Sequence, residues 1–391
     1  MQKYARMTGW GKYVPERILT NLDLEKMVDT SDEWIRTRTG IRERHIAAPG
    51  ETCCTMSVAA AQQALAVAQI PASEIELIIV ATSTPDYLVP SVASMVQDQL
   101  RATGAPAFGL RAGCTGWVYA LVTACQFLQT GAYRNALVIG TEHLSFGVDW
   151  SDRSTCVLFG DGSGAVVLEA SDQPTGLLAF DLGSEGSDYD ALIFPAFGGA
   201  NPASHEVIDR RLHYLKMDGR RVFKFATRVL ADSVRKVVAA SDLTPEDIEL
   251  VIPHQANDRI IEMARRKLGL PPEKMMVNID RYGNTSAASI PLALVDAIEE
   301  GRIEAGAHLV FVGFGAGLTW ASAAFHWEPQ EPSAIPVADW PIRDRLVQPV
   351  ARARTALWSA RVNLATRIEP LLLPLYSFAA GYKKRRKKAD K

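Results

Sequence analysis

Three side chains of types that can perform covalent acyl chemistry occupy comparable places in the sequence. Cys114 begins a segment with the apolar spacing of a helix. Its thiol is therefore expected at the positive end of a helix dipole, where the thiol pKa falls and the thiolate is favoured. His254 directly follows an apolar segment typical of a buried strand, and Asn284 begins a second helical segment. A thiolate with two neighbouring hydrogen-bond donors to a carbonyl oxygen predicts acyl transfer through a covalent thioester.

Each of these residues also has an ordinary structural interpretation. A free cysteine is most often a small buried apolar residue, as we expect for Cys53, Cys54, Cys125 and Cys156. A histidine after a strand is often a hydrogen-bonded structural group, and an asparagine at a helix start is a common N-cap. The catalytic interpretation is favoured because strand ends and helix starts of α/β units face the crevice where ligands bind.

An internal repeat predicts the elements that position these residues. The sequence PASEIELIIV at 71–80 is echoed about 173 residues later by TPEDIELVI at 244–252, and each copy has the pattern of a turn followed by a buried strand. Farther along each copy, a helical segment leads into an apolar strand that ends at a glycine. The helical segments span residues 114–131 and 284–301, and the strands span residues 136–139 and 309–312.

The repeat predicts an α/β fold made of two similar halves, residues 1–173 and 174–327. Pseudo-symmetry between the halves would bring the helix starts at Cys114 and Asn284 together. His254 follows a strand of the second half, so we expect it in the same crevice.

The composition is that of a globular protein and excludes several classes of function. The 391 residues are 48% hydrophobic and 22% charged, with a formal net charge of −2. Five cysteines without CxxC spacing exclude a disulfide framework, and no His, Cys, Asp or Glu pattern predicts a metal site. The glycine-rich segments 160–164 and 313–317 lack the spacing of nucleotide-binding loops, and residues 1–327 contain no basic stripe typical of nucleic-acid binding. Without a signal-peptide pattern or a membrane-spanning apolar run, a cytoplasmic protein is expected.

Several motifs follow one another in an order typical of one enzyme family. They are DTSDEWIRTRTGIRER at 29–44, GCTG at 113–116, DWSDR at 149–153, PHQAN at 253–257, YGNTS at 282–286 and GFGAGLTW at 313–320. In these motifs residues 1–327 resemble the 3-oxoacyl-[acyl-carrier-protein] synthase III family of condensing enzymes. The resemblance implies a thiolase-like fold with five αβαβα layers built from two duplicated halves, which agrees with the internal repeat.

The resemblance implies a decarboxylative Claisen condensation that initiates fatty-acid biosynthesis. An acyl-CoA primer acylates Cys114, and malonyl-[acyl carrier protein] then loses CO2 and attacks the thioester to give 3-oxoacyl-[acyl carrier protein]. His254 and Asn284 would stabilise the enolate, and the backbone N–H groups of Cys114 and Ala316 would form the oxyanion hole. Ala316 stands where the family often has glycine, and it fits only if its φ is negative. Beyond the two substrates, no cofactor is expected.

The resemblance also assigns three groups of binding residues. Val89 stands where some relatives carry a phenylalanine that crosses a homodimer interface to cap the acyl pocket, and this smaller side chain predicts a longer or branched primer. Trp117, where phenylalanine is common, would take some of that room. The expected CoA-binding residues are Trp34, Arg38, Arg153 and Asn257, and the expected docking residues for the acidic carrier protein are Lys224, Gln255, Arg259 and Arg266.

Residues 328–391 are not explained by the resemblance. They contain 13 Lys and Arg against 6 Asp and Glu, whereas residues 1–327 contain 29 against 38. Five prolines predict a linker, a helical apolar stripe begins at Val350, and Lys383–Lys388 form a basic run. Residues 350–388 have the pattern of an interfacial membrane helix with a polybasic end. Binding of carrier protein, or packing on the body with a solvated basic end, is compatible with the same pattern.

Two other functions fit parts of this sequence. A related acyltransferase, or an enzyme that condenses two acyl chains in a specialised pathway, would use the same Cys114, His254 and Asn284. A non-catalytic partner subunit or membrane scaffold would not need them, so the intact set argues against it.

Overall fold

The structure of the chain is a computed structural model that describes residues 3–329. The predicted linker, amphipathic helix and basic tail lie outside the described residues from position 330 onward, and the membrane contact at 350–388 stays a prediction. The strands are β1 Tyr4–Tyr13, β2 Ile18–Thr20, β3 Glu43–His45, β4 Ile78–Ala81, β5 Ala107–Leu110, β6 Asn135–Glu142, β7 Gly162–Ser171, β8 Gly176–Ser184, β9 Leu192–Ile193, β10 Lys216–Met217, β11 Ile248–Pro253, β12 His308–Gly315 and β13 Thr319–His326. The helices are α1 Asn21–Leu24, α2 Asp32–Thr39, α3 Cys53–Ala68, α4 Val92–Leu100, α5 Gly116–Gln129, α6 Arg153–Cys156, α7 His205–Asp209, α8 Gly219–Ala240, α9 Asp258–Leu268, α10 Ile279–Tyr282 and α11 Ser289–Glu299.

Nine of these strands form one mixed sheet in the order β11-β12-β13-β8-β1-β7-β6-β4-β5. The strands from β5 to β1 belong to the first half of the chain, and those from β8 to β11 belong to the second. The two groups join through β1 and β8, which run parallel and pair only at Ala5 and Gly176. The remaining strand pairs within each group are longer ladders, so each half is a nearly separate sheet.

Two central helices, α5 and α11, separate the two groups of strands. Each contacts strands of both halves, and each is apolar on nearly all sides because it is covered from both directions. Helices α3 and α4 cover the outer face of the first group, and α8 and α9 cover that of the second. The resulting layers run αβαβα, as predicted.

The internal repeat is visible in the structure. Both predicted strands are present as β4 and β11, and each follows a short 3-10 turn. The central helices start later than predicted, because 3-10 turns at Gly113–Thr115 and Ser286–Ala288 precede them. These two turns pack against each other. The predicted boundary at 173/174 falls between β7 and β8.

Two strands extend farther than the sequence pattern predicts. Instead of ending at Gly140 and Gly313, β6 continues to Glu142 and β12 continues to Gly315. Backbone hydrogen bonds pair the last residues of β6 with β7 and those of β12 with β13, and such bonds do not depend on side-chain hydropathy. Within residues 3–329, no helix combines the length and apolar character needed to cross a lipid bilayer.

The first testable feature of the fold is the close contact between β1 and α3. A Cβ atom at Gly11 would lie 2.3 Å from the backbone oxygen of Ala60. We expect Gly11→Ala to lower the free energy of unfolding by about 2 kcal/mol, because the helix must move away from the strand. Urea denaturation measures this loss. Gly186→Ala is the matched control, since a Cβ there meets nothing within 4 Å, and equal stability of the two variants would contradict the prediction.

Candidate active site

Cys114 lies in the 3-10 turn that leads into α5, and its side chain is buried. The preceding Gly113 has a φ of +58°, and a Cβ there would lie 2.7 Å from the backbone nitrogen of Ala316. A Cβ at Gly315 would lie 2.5 Å from the backbone nitrogen of Cys114. Both positions therefore require glycine, because two backbone segments approach the nucleophile more closely than side chains would permit.

This close approach directs two backbone donors at the nucleophile. The backbone N–H groups of Cys114 and Ala316 lie near the Cys114 sulfur and act to lower the pKa of its thiol. Ala316 has no positive φ, so the condition for alanine at this position is met. Donors that reach the sulfur also lie near the oxygen of an acyl group bound to it, which is the geometry required of an oxyanion hole.

His254 follows β11 and is fully buried. Its Nδ1 lies 2.6 Å from the hydroxyl oxygen of Ser289, and its ring meets Phe314 edge-on with centroids 5.4 Å apart. Burial lowers the pKa of His254 to about 3, so the imidazole is neutral. With Ser289 as the donor to Nδ1, the ring proton is on Nε2, which makes Nε2 a hydrogen-bond donor.

Asn284 precedes the second 3-10 turn and is also buried. Its Oδ1 accepts a hydrogen bond of 2.8 Å from the backbone N–H of Ser286. The N-cap residue of this turn is Thr285, so Asn284 is not the predicted N-cap; its side chain closes an Asx turn just before it and uses only the oxygen. The Nδ2 group remains a donor, so this contact and binding of a substrate oxygen are compatible.

The three predicted residues belong to one region. The paired 3-10 turns carry Cys114 and follow Asn284, and a Cβ at Gly313 would lie 3.5 Å from the Cβ of His254 and 3.6 Å from the methyl group of Thr115. His254 and the nucleophile turn therefore border the same glycine of β12.

The expected lowering of the Cys114 pKa is wrong. Burial raises the pKa of this thiol to about 12. Contacts of the sulfur with the Ser286 side chain and with the backbone N–H groups of Ala316 and Cys114 oppose the rise but do not offset it. The dipole at a helix start favours the thiolate, but the cost of placing a charge in these buried surroundings is larger here.

Two buried polar residues beside the nucleophile were not predicted, Glu142 and Ser286. Glu142 lies at the carboxyl end of β6 with its side chain wholly buried, and Ser286 connects it to Cys114. The rule that strand ends face the crevice would have identified Glu142 if β6 had been predicted to continue beyond Gly140. Ser286 lies within a quoted motif, but its type alone carries no functional signal.

The predicted CoA-binding residues are grouped around α2. The Arg153 guanidinium lies 4.8 Å from the centre of the Trp34 ring. Arg38, in the last turn of α2, is exposed, and its backbone oxygen accepts a 3.0 Å hydrogen bond from Asn257 Nδ2. Asn257 also caps α9 by accepting from the backbone N–H of Arg259. Both ends of the Asn257 amide are therefore engaged within the chain.

The predicted docking residues divide into two groups. Lys224 on α8 and Arg259 and Arg266 on α9 are exposed, and these helices pack against each other. Gln255 does not belong with them. Its side chain is buried, donates to the backbone oxygens of Pro253 and Met276, and accepts from the backbone of Asn278. It holds the loop after β11 and presents no surface to a partner.

The two acyl-pocket residues differ in exposure. Trp117 on α5 is fully buried, with its ring edge-on to Phe311 at 5.3 Å between centroids. Val89 is 83% exposed. Within one chain Val89 lines no interior space, so it could contribute to an acyl pocket only across an interface.

The chain is similar to known proteins of one family. Family models described as 3-oxoacyl-[acyl-carrier-protein] synthase III match residues 108–186, and as its C-terminal part residues 238–327. The chain belongs to this family. A β-ketoacyl-[acyl-carrier-protein] synthase III of Symbiobacterium thermophilum is 54% identical over 321 residues, which are 82% of this chain and 97% of that protein. One from Roseiflexus sp. (strain RS-1) is 49% identical over 327 residues, 84% and 99% of the two chains.

Solved structures give the same result. The 3-oxoacyl-[acyl-carrier-protein] synthase III of Aquifex aeolicus VF5 superposes with a TM-score of 0.76 at 47% identity, covering 83% of this chain and all of that one. The corresponding enzyme of Pseudomonas aeruginosa PAO1 gives 0.78 at 42% identity, covering 84% and 100%. The thiolase-like fold and the class of condensing acyltransferase are thereby confirmed. These relatives are matched over nearly their whole length, whereas about a sixth of this chain is left uncovered.

The neutral state of buried His254 gives the second testable prediction. Because its folded-state pKa lies below its ordinary value of about 6.5, only the unfolded chain binds the extra proton, and stability is lost as the pH falls below that value. Between about pH 7 and pH 5 this residue costs about 2 kcal/mol. Urea unfolding of His254→Gln should show a correspondingly smaller acid loss than wild type. Exposed His205→Gln should retain the wild-type loss, and an unchanged pH dependence of His254→Gln would refute the prediction.

Proposed function

We propose that the chain is a β-ketoacyl-[acyl carrier protein] synthase III that condenses an acyl-CoA primer with malonyl-[acyl carrier protein]. One observation carries the assignment of roles: a buried thiol at the start of a central helix has two backbone N–H groups directed at its sulfur. The products would be 3-oxoacyl-[acyl carrier protein], CoA and CO2, and the reaction would initiate fatty-acid biosynthesis.

In the first half-reaction, the Cys114 thiolate attacks the carbonyl carbon of acyl-CoA. The N–H groups of Cys114 and Ala316 stabilise the tetrahedral oxyanion, and CoA departs as a thiol. The sulfur is shielded from water by burial, so the resulting thioester is protected from hydrolysis.

In the second half-reaction, malonyl-[acyl carrier protein] binds with its thioester oxygen between His254 Nε2 and Asn284 Nδ2. Loss of CO2 leaves an enolate whose negative charge these neutral donors stabilise. The carbanion carbon then attacks the acyl group on Cys114 and regenerates the thiolate. The steps are acyl transfer, loss of CO2 and attack by the resulting carbanion. None of them needs an external oxidant or reductant, so the proposed mechanism requires no cofactor besides its substrates.

Exposed residues of the chain are suited to binding both substrates. Arg153 lies over Trp34 at a distance suited to cation–π contact, and the separation could widen to admit an adenine between them. Exposed Arg38 would meet a phosphate. Exposed Lys224, Arg259 and Arg266 form a basic area that suits an acidic carrier protein. Since α2 packs on α9, the two groups border one another.

We further propose that the working enzyme is a homodimer whose partner contributes Val89 to the acyl pocket. Leu88 and Val89 are 73% and 83% exposed in the single chain, adjacent to each other. Strand β5 lies at the edge of the sheet with Phe108 exposed. Apolar side chains beside an open strand edge favour association. A small valine at the cap would leave space in the acyl pocket for a branched primer or for one longer than acetyl. Trp117 would limit that space.

Intact mass spectrometry after incubation with a panel of acyl-CoAs tests the reaction. Wild type should gain one acyl mass, lose it when malonyl-[acyl carrier protein] is added, and release 3-oxoacyl product. Cys114→Ala should gain none, because it lacks the nucleophile. Analysis of the product also separates this reaction from an acyl transfer or an acyl–acyl condensation. An adduct on Cys114→Ala, or none on wild type with any primer, would overturn the proposal.

The CoA-binding role of Trp34 is tested by kinetics. Trp34→Ala should raise the KM for acyl-CoA about tenfold, which corresponds to the loss of roughly 1 to 2 kcal/mol of stacking and cation–π contact. The kcat should change little, since Trp34 lies away from the reacting atoms. Arg36→Ala is the control, because Arg36 is on the same helix but pairs with Asp32. If both variants have the wild-type KM, Trp34 does not bind CoA.

A further inference from the structure

Four hydrogen-bond donors surround the carboxylate of Glu142, the buried acid beside the nucleophile. The backbone N–H of Ser83 donates to Oε1 at 3.0 Å, and the hydroxyl of Ser286 donates to the same oxygen at 3.1 Å. The hydroxyls of Thr82 and Thr84 donate to Oε2, the former at 3.3 Å. The side chain has no exposed surface, so this arrangement holds a carboxylate away from water.

Ser286 connects this carboxylate to the reacting sulfur. Its hydroxyl lies near the Cys114 sulfur and donates its proton to Glu142 Oε1, and its backbone N–H donates to Asn284 Oδ1. Ser286 adopts a φ of +48°, which is unfavourable for a residue with a side chain and is maintained only where the surroundings require it. A continuous path therefore runs from the thiol of the first half, through a serine of the second half, to a carboxylate of the first half.

The thiol proton of Cys114 needs an acceptor in this pocket. His254 is a poor one, because burial lowers its pKa to about 3 and protonation would place a positive charge in an apolar environment. Loss of the proton to solvent would instead add a second negative charge beside Glu142, and burial already raises the thiol pKa to about 12. Transfer to Glu142 adds no charge, since one buried anion replaces another.

We propose that Glu142 receives the Cys114 thiol proton through the Ser286 hydroxyl when Cys114 is acylated. This role rests on the proposed function, in which Cys114 is the nucleophile. Ser286 contacts the reacting sulfur directly, and Glu142 acts through it.

The step balances in protons and electrons. The S–H bond of Cys114 breaks as its proton moves to the Ser286 oxygen, and the original Ser286 proton moves to Glu142 Oε1. The sulfur electron pair forms the bond to the acyl carbon, and the bond from that carbon to the CoA sulfur breaks. The proton then returns from Glu142 through Ser286 to the CoA thiolate. Burial raises the pKa of Glu142, which favours its holding the proton between these events.

The cysteine thiols near Glu142 do not compete with it as acceptors of the proton on this path. The cysteine groups that face it are Cys114 itself and Cys53 from α3. Cys53 donates its thiol proton to the backbone oxygen of Thr84 at 3.0 Å, and burial raises its pKa further, so it stays a neutral thiol.

Alkylation of Cys114 by iodoacetamide tests the relay without acyl-CoA or carrier protein. Peptide mapping locates the label, and Cys114→Ala supplies the background from the other cysteines. In wild type an internal transfer supplies thiolate without solvent base, so the rate should vary little between about pH 6 and pH 8. Glu142→Gln keeps the shape of the side chain but cannot accept the proton. Its rate should be at least tenfold lower near pH 7 and should rise about tenfold per pH unit.

The sign of this effect separates a relay from simple electrostatics. If Glu142 only repelled the thiolate, its removal would lower the thiol pKa and speed alkylation. An unchanged or faster rate in Glu142→Gln therefore overturns the proposal. Ser286→Ala should slow alkylation as Glu142→Gln does, and the double variant should be no slower than the slower single one. Independent, multiplying losses would also overturn the relay.

A matched control addresses disturbance of the pocket. Thr82→Val removes one donor to the carboxylate but leaves the path through Ser286 intact, so its alkylation rate should stay within about threefold of wild type. Thermal unfolding of each variant checks the fold. Should Glu142→Gln fail to fold, the pH dependence of alkylation in Ser286→Ala still tests the relay. A wild type that is alkylated in this manner but takes no acyl group would refute the proposed function, whereas one that takes an acyl group but shows none of these effects of substitution would refute the relay alone.

Discussion

The close approach of backbone to the Cys114 turn is the constraint on which the site depends. The Gly315–Ala316 segment reaches the nucleophile because position 315 carries no side chain, and Gly113 provides the matching space on the other side. This contact directs two N–H groups at one sulfur. It also joins the end of β12, from the second half, to the helix start of the first half. The proposed oxyanion hole and the interface between the halves are thus one structural feature.

Burial shifts the pKa values of the acidic groups and of the histidine beside the nucleophile in opposite directions. It raises the pKa of the Cys114 thiol, raises that of Glu142 and lowers that of His254. All three shifts follow from the same cause, since each charged form is disfavoured away from water. A neutral histidine is what enolate stabilisation needs. An unassisted thiol, by contrast, is harder to ionise, so the same environment that protects a thioester creates the need for a nearby proton acceptor.

Duplication of the α/β unit explains why these residues meet. Helices α5 and α11 are each preceded by a 3-10 turn, and the two turns pack together at the centre of the molecule. Cys114 belongs to the first turn, and the Asn284 side chain accepts a hydrogen bond from the first residue of the second. Because both central helices are covered on both faces by sheets, the residues at their starts are buried. The outer helices α2, α8 and α9 are exposed to solvent and carry the groups proposed to bind substrates.

Local patterns in the sequence determined the main elements, indicated the duplication and selected Cys114, His254 and Asn284 as candidate site residues. Apolar runs and helical spacing reflect burial of each segment, and the ordered motifs indicate the family to which the chain belongs. Only the tertiary structure decided the thiol pKa, the buried position of Gln255 and the link from Glu142 through Ser286. These depend on contacts between residues far apart in sequence: residues 142 and 286 are separated by 144 positions. Desolvation and cross-half hydrogen bonds exist only after the halves have packed, so no local pattern records them.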